Sequence, residues 1–296
     1  MNKSLAIIGA GKWGQALNFA LSLNQNCLIT SLHTKPLDNF VDINKALECE
    51  YLVFALSAQG ISSWLKNNFK YKNQKILLAS KGIDIASCRF LDQIFLNYVK
   101  KENFCVLSGP SFASEIMQKL PCALVISGYD EKICKDFASF FPNFIKTYIS
   151  DDVCGAEICG AYKNVLAIAS GICEGLKLGN NARASLISRG LIEMQRFGSF
   201  FGAKKESFLG LSGAGDLFLT ASSVLSRNFR AGILLAQGKS KKEILDELTE
   251  VVEGIDTSFA IMKIAKEYGI YTPIAKEVSL ILDGKDVNTS LKDLLS

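Results

Sequence analysis

A lysine inside an apolar segment is the residue of this sequence whose type and setting best suit acid–base chemistry. Residues 158–194 open with an Ala-rich run that fits a buried helix, and Lys163 lies inside that run. Burying an ammonium group is costly, so desolvation would lower its pKa towards that of a useful general base. The alternative is a lysine at a helix end, with its stem on apolar surface and its charge in water. This segment alone leaves both interpretations open.

Histidine chemistry is restricted because His33 is the only histidine in the chain and lies far from Lys163 in the sequence. A mechanism that needs a histidine acid or base must therefore use His33. For the same reason a Ser-His-Asp triad is disfavoured.

A glycine pattern near the start of the chain predicts a dinucleotide site. Residues 5–8 form a short apolar run, followed by Gly9, Gly11 and Gly14 in the spacing G-x-G-x-x-G and then by a helical pattern. The first glycine permits the tight turn, the second lets a pyrophosphate approach, and the third lets the helix pack on the strand. The helix N-terminus then faces the phosphates.

The end of the next predicted strand, residues 27–32, bears on the choice of coenzyme. NAD-selective sites usually place Asp or Glu there to hold the ribose hydroxyls. Here His33 and Lys35 follow, and the first carboxylate is Asp38. A polar or basic end can accept a 2′-phosphate, which would suit NADP. The alternative is ordinary loop polarity, so the preference stays open.

Four further polar islands could line a site. They are Ser80-Lys81-Gly82, the run SGPSFA from Ser108 to Ala113, the glycine-rich loop GLSGAGDL from Gly210 to Leu217, and SRNFR from Ser226 to Arg230. Lysine and arginine there could bind a small anion, since a guanidinium grips phosphate oxygens in a fork. Each island has a structural alternative. Gly, Pro and Ser form turns, Asp216 could cap a helix, and Arg227 could be a surface charge.

The order of apolar runs predicts an α/β fold. Strands are expected at 51–56, 75–79, 104–107, 122–126 and 144–149, with helices at 61–69, 88–100 and 131–141 between them. After about residue 150 the pattern becomes helical, most clearly at 243–252 and 257–268, with Gly269 as a C-cap. We therefore expect a Rossmann-type doubly wound sheet in residues 1–150, followed by an all-helical C-terminal domain in residues 151–296.

Composition narrows the class of protein. The net charge of +4 is spread along the chain, which disfavours nucleic-acid binding but suits a small anionic substrate. The nine cysteines form no CxxC pair and no zinc-like cluster, which favours free thiols in a reducing compartment. No apolar run reaches the roughly 18 residues of a membrane span, and the first apolar residues lead straight into the glycine turn; both observations argue against a membrane span or a signal peptide. The sequence predicts a cytoplasmic protein without a metal site.

Several motifs together resemble the bacterial NAD(P)-dependent glycerol-3-phosphate dehydrogenase family. They are GAGKWG from Gly9, SKG from Ser80, SGPSFA from Ser108, AYKN from Ala161, GNNARASLISRGLIEM from Gly179, GLSGAGDL from Gly210, SRNFR from Ser226 and VVEG from Val251. They follow the family's order from residue 9 to residue 254, and the later motifs are much more specific than a Rossmann fingerprint.

The resemblance implies a role for each matching residue. Lys163 would be the general acid/base that exchanges a proton with the reacting oxygen. The implied substrate contacts are Lys81, Gly109, Ser111, Lys163, Asp216, Ser226, Arg227 and Asn228. The implied contacts to NAD or NADP are Gly9, Gly11, Lys12, Trp13, Gly14, His33, Lys81, Ala113, Arg227, Val251 and Glu253. The segment from Lys35 to Tyr51 is shorter than is usual in the family, so the resemblance does not decide between NAD and NADP.

The resemblance also implies interconversion of glycerol 3-phosphate and dihydroxyacetone phosphate, supplying the backbone of phospholipids, and a homodimer suits this architecture. Two alternatives remain. A β-hydroxyacid-type dehydrogenase would share the two-domain plan but take a carboxylate substrate. A non-catalytic dinucleotide sensor would bind the coenzyme without turnover.

Overall fold

The computed structural model describes residues 3–249 and 251–295. Its strands are β1 Leu5–Ile8, β2 Cys27–Thr30, β3 Tyr51–Phe54, β4 Lys75–Leu78, β5 Ile83–Asp84, β6 Arg89–Phe90, β7 Phe104–Ser108, β8 Cys122–Gly128 and β9 Ile145–Ser150. The helices between them are α1 Lys12–Ser22, α2 Ile43–Ala46, α3 Ala58–Asn68, α4 Leu91–Phe95, a 3₁₀ turn Lys101–Asn103, α5 Ala113–Met117 and α6 Glu131–Ala138.

The rest of the described chain is helical. Its helices are α7 Val153–Gly175, α8 Gly179–Phe200, α9 Lys205–Leu209, a π-helical turn Leu211–Gly215, α10 Asp216–Ala221, α11 Arg227–Ala236, α12 Lys241–Leu248, α13 Glu253–Tyr268, α14 Pro273–Leu282 and α15 Val287–Leu295. Among the residues that the structure describes, no helix is both long and apolar enough to cross a bilayer.

Seven strands form one mostly parallel sheet in the order β2-β1-β3-β4-β7-β8-β9. Strands β2, β1, β3, β4 and β7 run parallel, β8 runs antiparallel to β7, and β9 runs parallel to β8. The chain moves outward from β1 to β2 and then returns to β3 on the other side. Ligands of such sheets bind at the carboxyl ends of the strands, beside this reversal.

Burial on both faces explains the continuous apolar strands. All four residues of β1 are buried; Leu5 and Ile7 pack into one core, and Ala6 and Ile8 pack into the core on the opposite face. In a parallel sheet covered on both sides, the strands are apolar at every position because neither face meets water. The predicted α/β class, with a Rossmann-type sheet followed by helices, is confirmed.

Helix α7 is the centre of the helical half. Of its 23 residues, 20 are buried, as expected for a helix that is apolar on all sides. Helix α11 crosses it in backbone contact, because a Cβ at Gly232 would lie 2.0 Å from the carbonyl oxygen of Ile168 and one at Gly171 would lie 2.0 Å from that of Phe229. This close crossing fixes the start of α11 relative to Lys163.

Some predicted elements were wrong in extent. The helix expected at 88–100 is only Leu91–Phe95, because Arg89 and Phe90 pair with Ile83 and Asp84 in a two-strand hairpin. The helix expected at 243–252 is Lys241–Leu248, and Thr249 ends it in the left-handed conformation; Glu250 lies outside the described residues. Helix α13 begins four residues earlier than expected, while Gly269 caps it as predicted. The domain boundary near residue 150 stays a prediction, between the end of β9 and the start of α7.

Candidate active site

Lys163 lies in the middle of α7 with its ammonium group inside the protein. The residue is 7% exposed. Its Nζ donates to Asp216 Oδ1 at 2.6 Å and to Thr220 Oγ1 at 2.9 Å. The alternative of a lysine at a helix end reaching water is therefore wrong, because this charge is held by buried partners.

Asp216 binds a second lysine from the other half of the chain. Lys81 follows β4, and its Nζ donates to Asp216 Oδ2 at 2.7 Å and to the carbonyl oxygen of Gly109 at 3.2 Å. Each oxygen of one buried carboxylate thus accepts from a different ammonium group. The three side chains meet at the carboxyl ends of β4 and β7, where ligands of this sheet type bind.

The segment that carries Asp216 is helical. The predicted glycine-rich loop at 210–217 was wrong, because residues Leu211–Gly215 form a π-helical turn that continues into α10. Ser212 Oγ in this turn lies 2.7 Å from Ser108 Oγ at the end of β7. That contact fixes the start of α10 against the sheet. π-helical turns are rare and often occur at functional sites.

Opposing effects set the charge of the two central groups. Burial lowers the pKa of Lys163 to about 8; Asp216 opposes this shift, and Lys81 adds to it. Burial alone would raise the pKa of Asp216, but the charges of Lys163 and Lys81 outweigh it and hold that pKa below its ordinary value. At neutral pH the cluster carries one carboxylate, and a lysine that can lose its proton under mild conditions.

The start of α11 is connected to α7 through Asn164, the residue after Lys163, and some of its polar groups already have partners within the protein. Ser226 is the N-cap, and its Oγ accepts from the amide of Phe229 at 3.2 Å. Asn228 is buried; its Nδ2 donates to Asn164 Oδ1 at 2.9 Å, and its Oδ1 accepts from the amide of Gly254 at 2.9 Å. Arg227 alone of the three predicted residues is exposed.

The turn after β7 lies on the other side of Lys81. Gly109 has a φ of +107°, which favours glycine. Its carbonyl oxygen accepts from Ser111 Oγ at 3.3 Å as well as from Lys81. Ala113 then begins α5. The structure therefore brings Lys81, Gly109 and Ser111 together, with Ala113 beside them.

The glycine turn after β1 has the shape of a phosphate cradle. Gly9 has a φ of +115° and donates its amide to Thr30 at 2.8 Å. A Cβ at Gly14 would lie 1.8 Å from the carbonyl oxygen of Gly9, whereas a Cβ at Gly11 would meet no atom within 4 Å. Gly14 is thus needed for packing, and Gly11 leaves open space at the N-terminus of α1. That space fits a dinucleotide's pyrophosphate.

The other predicted coenzyme residues differ in how exposed they are and in what they contact. Trp13 donates its indole N–H to the carbonyl oxygen of Ala79, beyond β4, at 2.9 Å. Lys12 and His33 are exposed, at the start of α1 and beyond the end of β2. Val251 is also exposed.

Glu253 connects the helical half to the sheet. Its Oε1 accepts from the amide of Ala58 at the start of α3, at 3.4 Å. Burial raises the pKa of this carboxyl group to about 7, although the Ala58 amide and Arg227 act in the opposite direction. Glu253 therefore lies near the carboxyl ends of the strands rather than on an isolated surface.

Two residues of the cluster were missed by the sequence reasoning. Thr220 follows Asp216 by one helical turn, and its Oγ1 both accepts from Lys163 and donates to the carbonyl oxygen of Asp216 at 2.6 Å. Asn164 connects Lys163's helix to Asn228. The sequence signals for these two residues were weak. Thr220 lies four residues after Asp216, and Asn164 directly follows Lys163.

Comparison with known proteins decides the family. The model described as NAD-dependent glycerol-3-phosphate dehydrogenase N-terminus matches residues 24–134, and the corresponding C-terminus model matches residues 152–292. A Campylobacter jejuni serotype O:6 protein named glycerol-3-phosphate dehydrogenase (NAD(P)+) is 69% identical over 291 residues, covering 98% of each chain. The chain belongs to the NAD-dependent glycerol-3-phosphate dehydrogenase family.

Other members of this family agree along the whole chain. A Sulfurimonas denitrificans protein with the same name is 58% identical over 292 residues, covering 99% of each chain. The crystal structure of the glycerol-3-phosphate dehydrogenase from Coxiella burnetii superimposes with a TM-score of 0.92 at 31% identity, covering 100% of this chain and 99% of the other. The family predicted from the sequence motifs is therefore confirmed.

Proposed function

We propose that the protein is an oxidoreductase that interconverts sn-glycerol 3-phosphate and dihydroxyacetone phosphate with NAD or NADP as coenzyme. The observation that carries this function is the buried Lys163 ammonium, held by Asp216 and Thr220 at the carboxyl edge of the sheet. Membership of the family supports the same reaction over the carboxylate-substrate and sensor alternatives.

Lys163 acts as the general acid/base. When bound, a nicotinamide coenzyme would supply or accept the hydride at the reacting carbon. Lys163 moves the proton that balances the charge. In reduction its ammonium group donates a proton to the carbonyl oxygen of dihydroxyacetone phosphate. In oxidation its neutral amine accepts the proton of the secondary hydroxyl. A pKa of about 8 allows both forms near neutral pH.

Asp216 and Lys81 set the orientation and charge of that group. The carboxylate fixes Lys163 Nζ at 2.6 Å and offsets part of the cost of burying it. Lys81 occupies the other carboxylate oxygen, and as a cation whose side chain is 18% exposed it also reaches towards an anionic substrate. The carbonyl oxygen of Gly109 accepts from Lys81 and from Ser111, and Gly109 and Ser111 both contact the substrate.

The substrate phosphate binds at the start of α11. The exposed guanidinium of Arg227 supplies the main charge, and the N-terminus of a ten-residue helix adds its positive end. Asn228 has one amide hydrogen left over from its bond to Asn164. Ser226 has a hydroxyl hydrogen to donate while it caps the helix.

Residues at the carboxyl edge of the sheet would hold the coenzyme. The turn of Gly9, Gly11 and Gly14 would hold its pyrophosphate, because Gly11 leaves open space at the start of α1. The residues proposed to line the remainder are Lys12, Trp13, His33, Lys81, Ala113, Arg227, Val251 and Glu253. Glu253 and Arg227 come from the helical half, so coenzyme binding would draw both halves together.

The physiological setting follows from this chemistry. Reduction would supply glycerol 3-phosphate for phospholipid synthesis. We place the protein in the cytoplasm, which the nine free cysteines of the described residues support. We propose a homodimer, the commonest assembly of soluble enzymes.

The test of the substrate class compares substrates with and without a phosphate group. Oxidation of NADH and NADPH is followed with dihydroxyacetone phosphate, with dihydroxyacetone and with a 3-oxo carboxylate. We expect turnover of the phosphate ester, and a kcat/KM at least tenfold lower for it in Arg227→Gln, from loss of a charge-assisted hydrogen bond. Arg183→Gln, which removes a partly exposed arginine ion-paired with Glu174, is the matched control. Preference for the 3-oxo carboxylate would contradict this function.

A further inference from the structure

Three successive residues of α7 bond to three different helices. The Tyr162 hydroxyl donates to Glu193 Oε1 of α8 at 2.8 Å. Lys163 donates to α10, and Asn164 accepts from α11. Successive side chains of a helix point about 100° apart, so these three bonds together fix the rotation of α7 about its axis. The bonds of Lys163 and Asn164 belong to the candidate active site, whereas the bond of Tyr162 lies outside it.

Helix α7 depends on such bonds for its orientation. Of its 23 residues, 20 are buried, so it has no broad polar face whose exposure to water would set its rotation. Buried hydrogen bonds do constrain it, because each is directional and a buried donor left without its acceptor is costly. The Tyr162 hydroxyl bond therefore constrains the part of α7 that carries Lys163.

The acceptor of this bond is itself held firmly. Glu193 is buried, and its Oε2 accepts from the amide of Ile274 at 2.8 Å. Its Oε1 accepts from the amide of Ala275 at 2.9 Å as well as from Tyr162. Both amides lie in the first turn of the ten-residue helix α14, where amides have no partner within the helix and the positive helix end favours a carboxylate. Glu193 thus connects three helices.

The phenol ring of Tyr162 is enclosed by α8. The residue is completely buried, and its ring centroid lies 5.3 Å from that of Phe197. One turn further along α7, Leu166 packs on Gly190 of α8, where a Cβ would lie 2.7 Å from Leu166 Cδ2. The middle of α7 is therefore held against α8 by close packing and by one directional bond.

We propose that Tyr162 and Glu193 are positioning residues that fix the rotation of α7 and thereby hold the ammonium group of Lys163 in place. A small rotation of α7 would lengthen the contact between Lys163 and Asp216. The charges that act on Lys163 are those of Asp216 and Lys81, and neither changes when Tyr162 is replaced. This inference rests on the proposed role of Lys163 as acid/base, and it adds which residues place that group.

The test compares variants of the full chain that lose the same kind of bond at different places. Tyr162→Phe removes one hydroxyl and changes no charge. Tyr51→Phe is the matched control, because the buried Tyr51 donates the same phenol–carboxylate bond to Asp136 Oδ2 at 2.8 Å, at the amino end of the sheet. Glu193→Gln and the double variant with Tyr162→Phe test whether Glu193 acts through Tyr162. Denaturant unfolding gives the stability of each variant.

Two readouts report on Lys163. The first is kcat and KM for reduction of dihydroxyacetone phosphate. The second is the pKa of Lys163, followed by its ¹³Cε resonance in lysine-labelled protein and assigned by its absence in Lys163→Ala. This readout needs no turnover.

We expect Tyr162→Phe to lower kcat about tenfold, because a misplaced catalytic group loses rate steeply, and to change KM by less than about twofold. The pKa of Lys163 should fall in this variant, because a longer contact with Asp216 favours its ammonium form less. Tyr51→Phe should lose similar stability and leave kcat and that pKa unchanged. Glu193→Gln should lower kcat in the wild-type background and have little further effect in Tyr162→Phe.

If Tyr162→Phe lost stability as Tyr51→Phe does but kept the wild-type kcat and the wild-type pKa of Lys163, the bond would be structural only and the inference overturned. Equal losses of kcat in these two variants would also overturn it. Fully additive losses in the double variant would overturn the action of Glu193 through Tyr162. A wild type that does not reduce dihydroxyacetone phosphate would contradict the proposed function, while the pKa of Lys163 would still decide whether Tyr162 positions it.

Discussion

Lys163 Nζ lies 2.6 Å from Asp216 Oδ1, and both side chains are almost completely buried. The pair combines a base whose pKa burial has lowered with a carboxylate that limits how far it falls. The balance can be moved in either direction by single substitutions.

Replacing Asp216 by Asn should lower the pKa of Lys163 further. A neighbouring carboxylate favours the ammonium form, so its loss should shift that pKa down by about 1–3 units. Oxidation of glycerol 3-phosphate needs the neutral amine, so its kcat should rise with pH around 8 in the wild type and at lower pH in Asp216→Asn. If the folded Asp216→Asn variant kept the wild-type pH profile, Asp216 would not control the pKa of Lys163.

Replacing Lys81 by Gln should move the same profile in the opposite direction. Lys81 lowers the pKa of Lys163 through its positive charge. Its removal should therefore raise the midpoint of the kcat profile for glycerol 3-phosphate oxidation. Because Lys81 is also a proposed substrate contact, the comparison uses kcat at saturating substrate. A shift of the midpoint to lower pH would contradict this effect of the Lys81 charge on the pKa of Lys163.

Thr220→Val should lower kcat for reduction by about tenfold or more. The substitution removes the second acceptor of Lys163 and leaves a buried cation with one partner, at a cost of about 1.5–3 kcal/mol. Thr220→Ser keeps the hydroxyl and should restore most of the rate. If Ser and Val variants are equally slow, the methyl group and not the hydroxyl is what matters.

Alanine at two neighbouring glycines should separate coenzyme binding from stability. A Cβ at Gly14 would overlap the carbonyl oxygen of Gly9, whereas one at Gly11 would enter open space. Gly14→Ala should destabilise the fold by about 1–3 kcal/mol, as overpacking does. Gly11→Ala should keep the wild-type unfolding temperature and weaken coenzyme binding. If Gly11→Ala bound the coenzyme as tightly as the wild type does, the turn at Gly11 would not hold the pyrophosphate.

Glu253→Gln should stabilise the coenzyme-free protein at pH 8. The folded-state pKa of about 7 lies above the ordinary value, so folding favours the protonated carboxyl group, and stability falls as pH rises from about 4.5 to 7. A neutral amide avoids that loss, which amounts to about 3 kcal/mol at pH 8 because the shift is about 2.5 pKa units at about 1.4 kcal/mol per unit. Denaturant unfolding at pH 8 and pH 5 checks this, since most of the difference should vanish at pH 5.

Sequence alone predicted the sheet well and the small irregular elements poorly. Buried strands such as β1 and β3 are continuous apolar runs, so their positions were correct to within two residues. The pairing of Ile83 with Phe90 has no such signal, because each strand is two residues long. The glycines at 210–215 suggested a loop, but Leu211–Gly215 form a π-helical turn in which the amide of Gly215 donates to the carbonyl oxygen of Gly210 at 3.1 Å.

The sequence predicted the site residues in separate segments, but it did not predict the contacts that connect them. Lys163, Asp216 and Lys81 are distant in the sequence. Packing of α10 against α7, with Lys81 reaching over from the turn after β4, brings them into contact. Thr220 and Asn164 were missed because their roles depend on which face of each helix meets the cluster. Asn228 was predicted as a phosphate contact, whereas its bonds to Asn164 and Gly254 also make it a bridge between helices.

The most direct measurement is reduction of dihydroxyacetone phosphate by NADPH and NADH with the wild type and with Lys163→Ala. The variant's fold is checked by thermal unfolding and its coenzyme affinity by titration. We expect turnover in the wild type and a loss of at least a hundredfold in kcat in the variant, as for removal of a general acid, with coenzyme affinity unchanged. Turnover at the wild-type rate in Lys163→Ala would contradict the role of Lys163 as the acid/base.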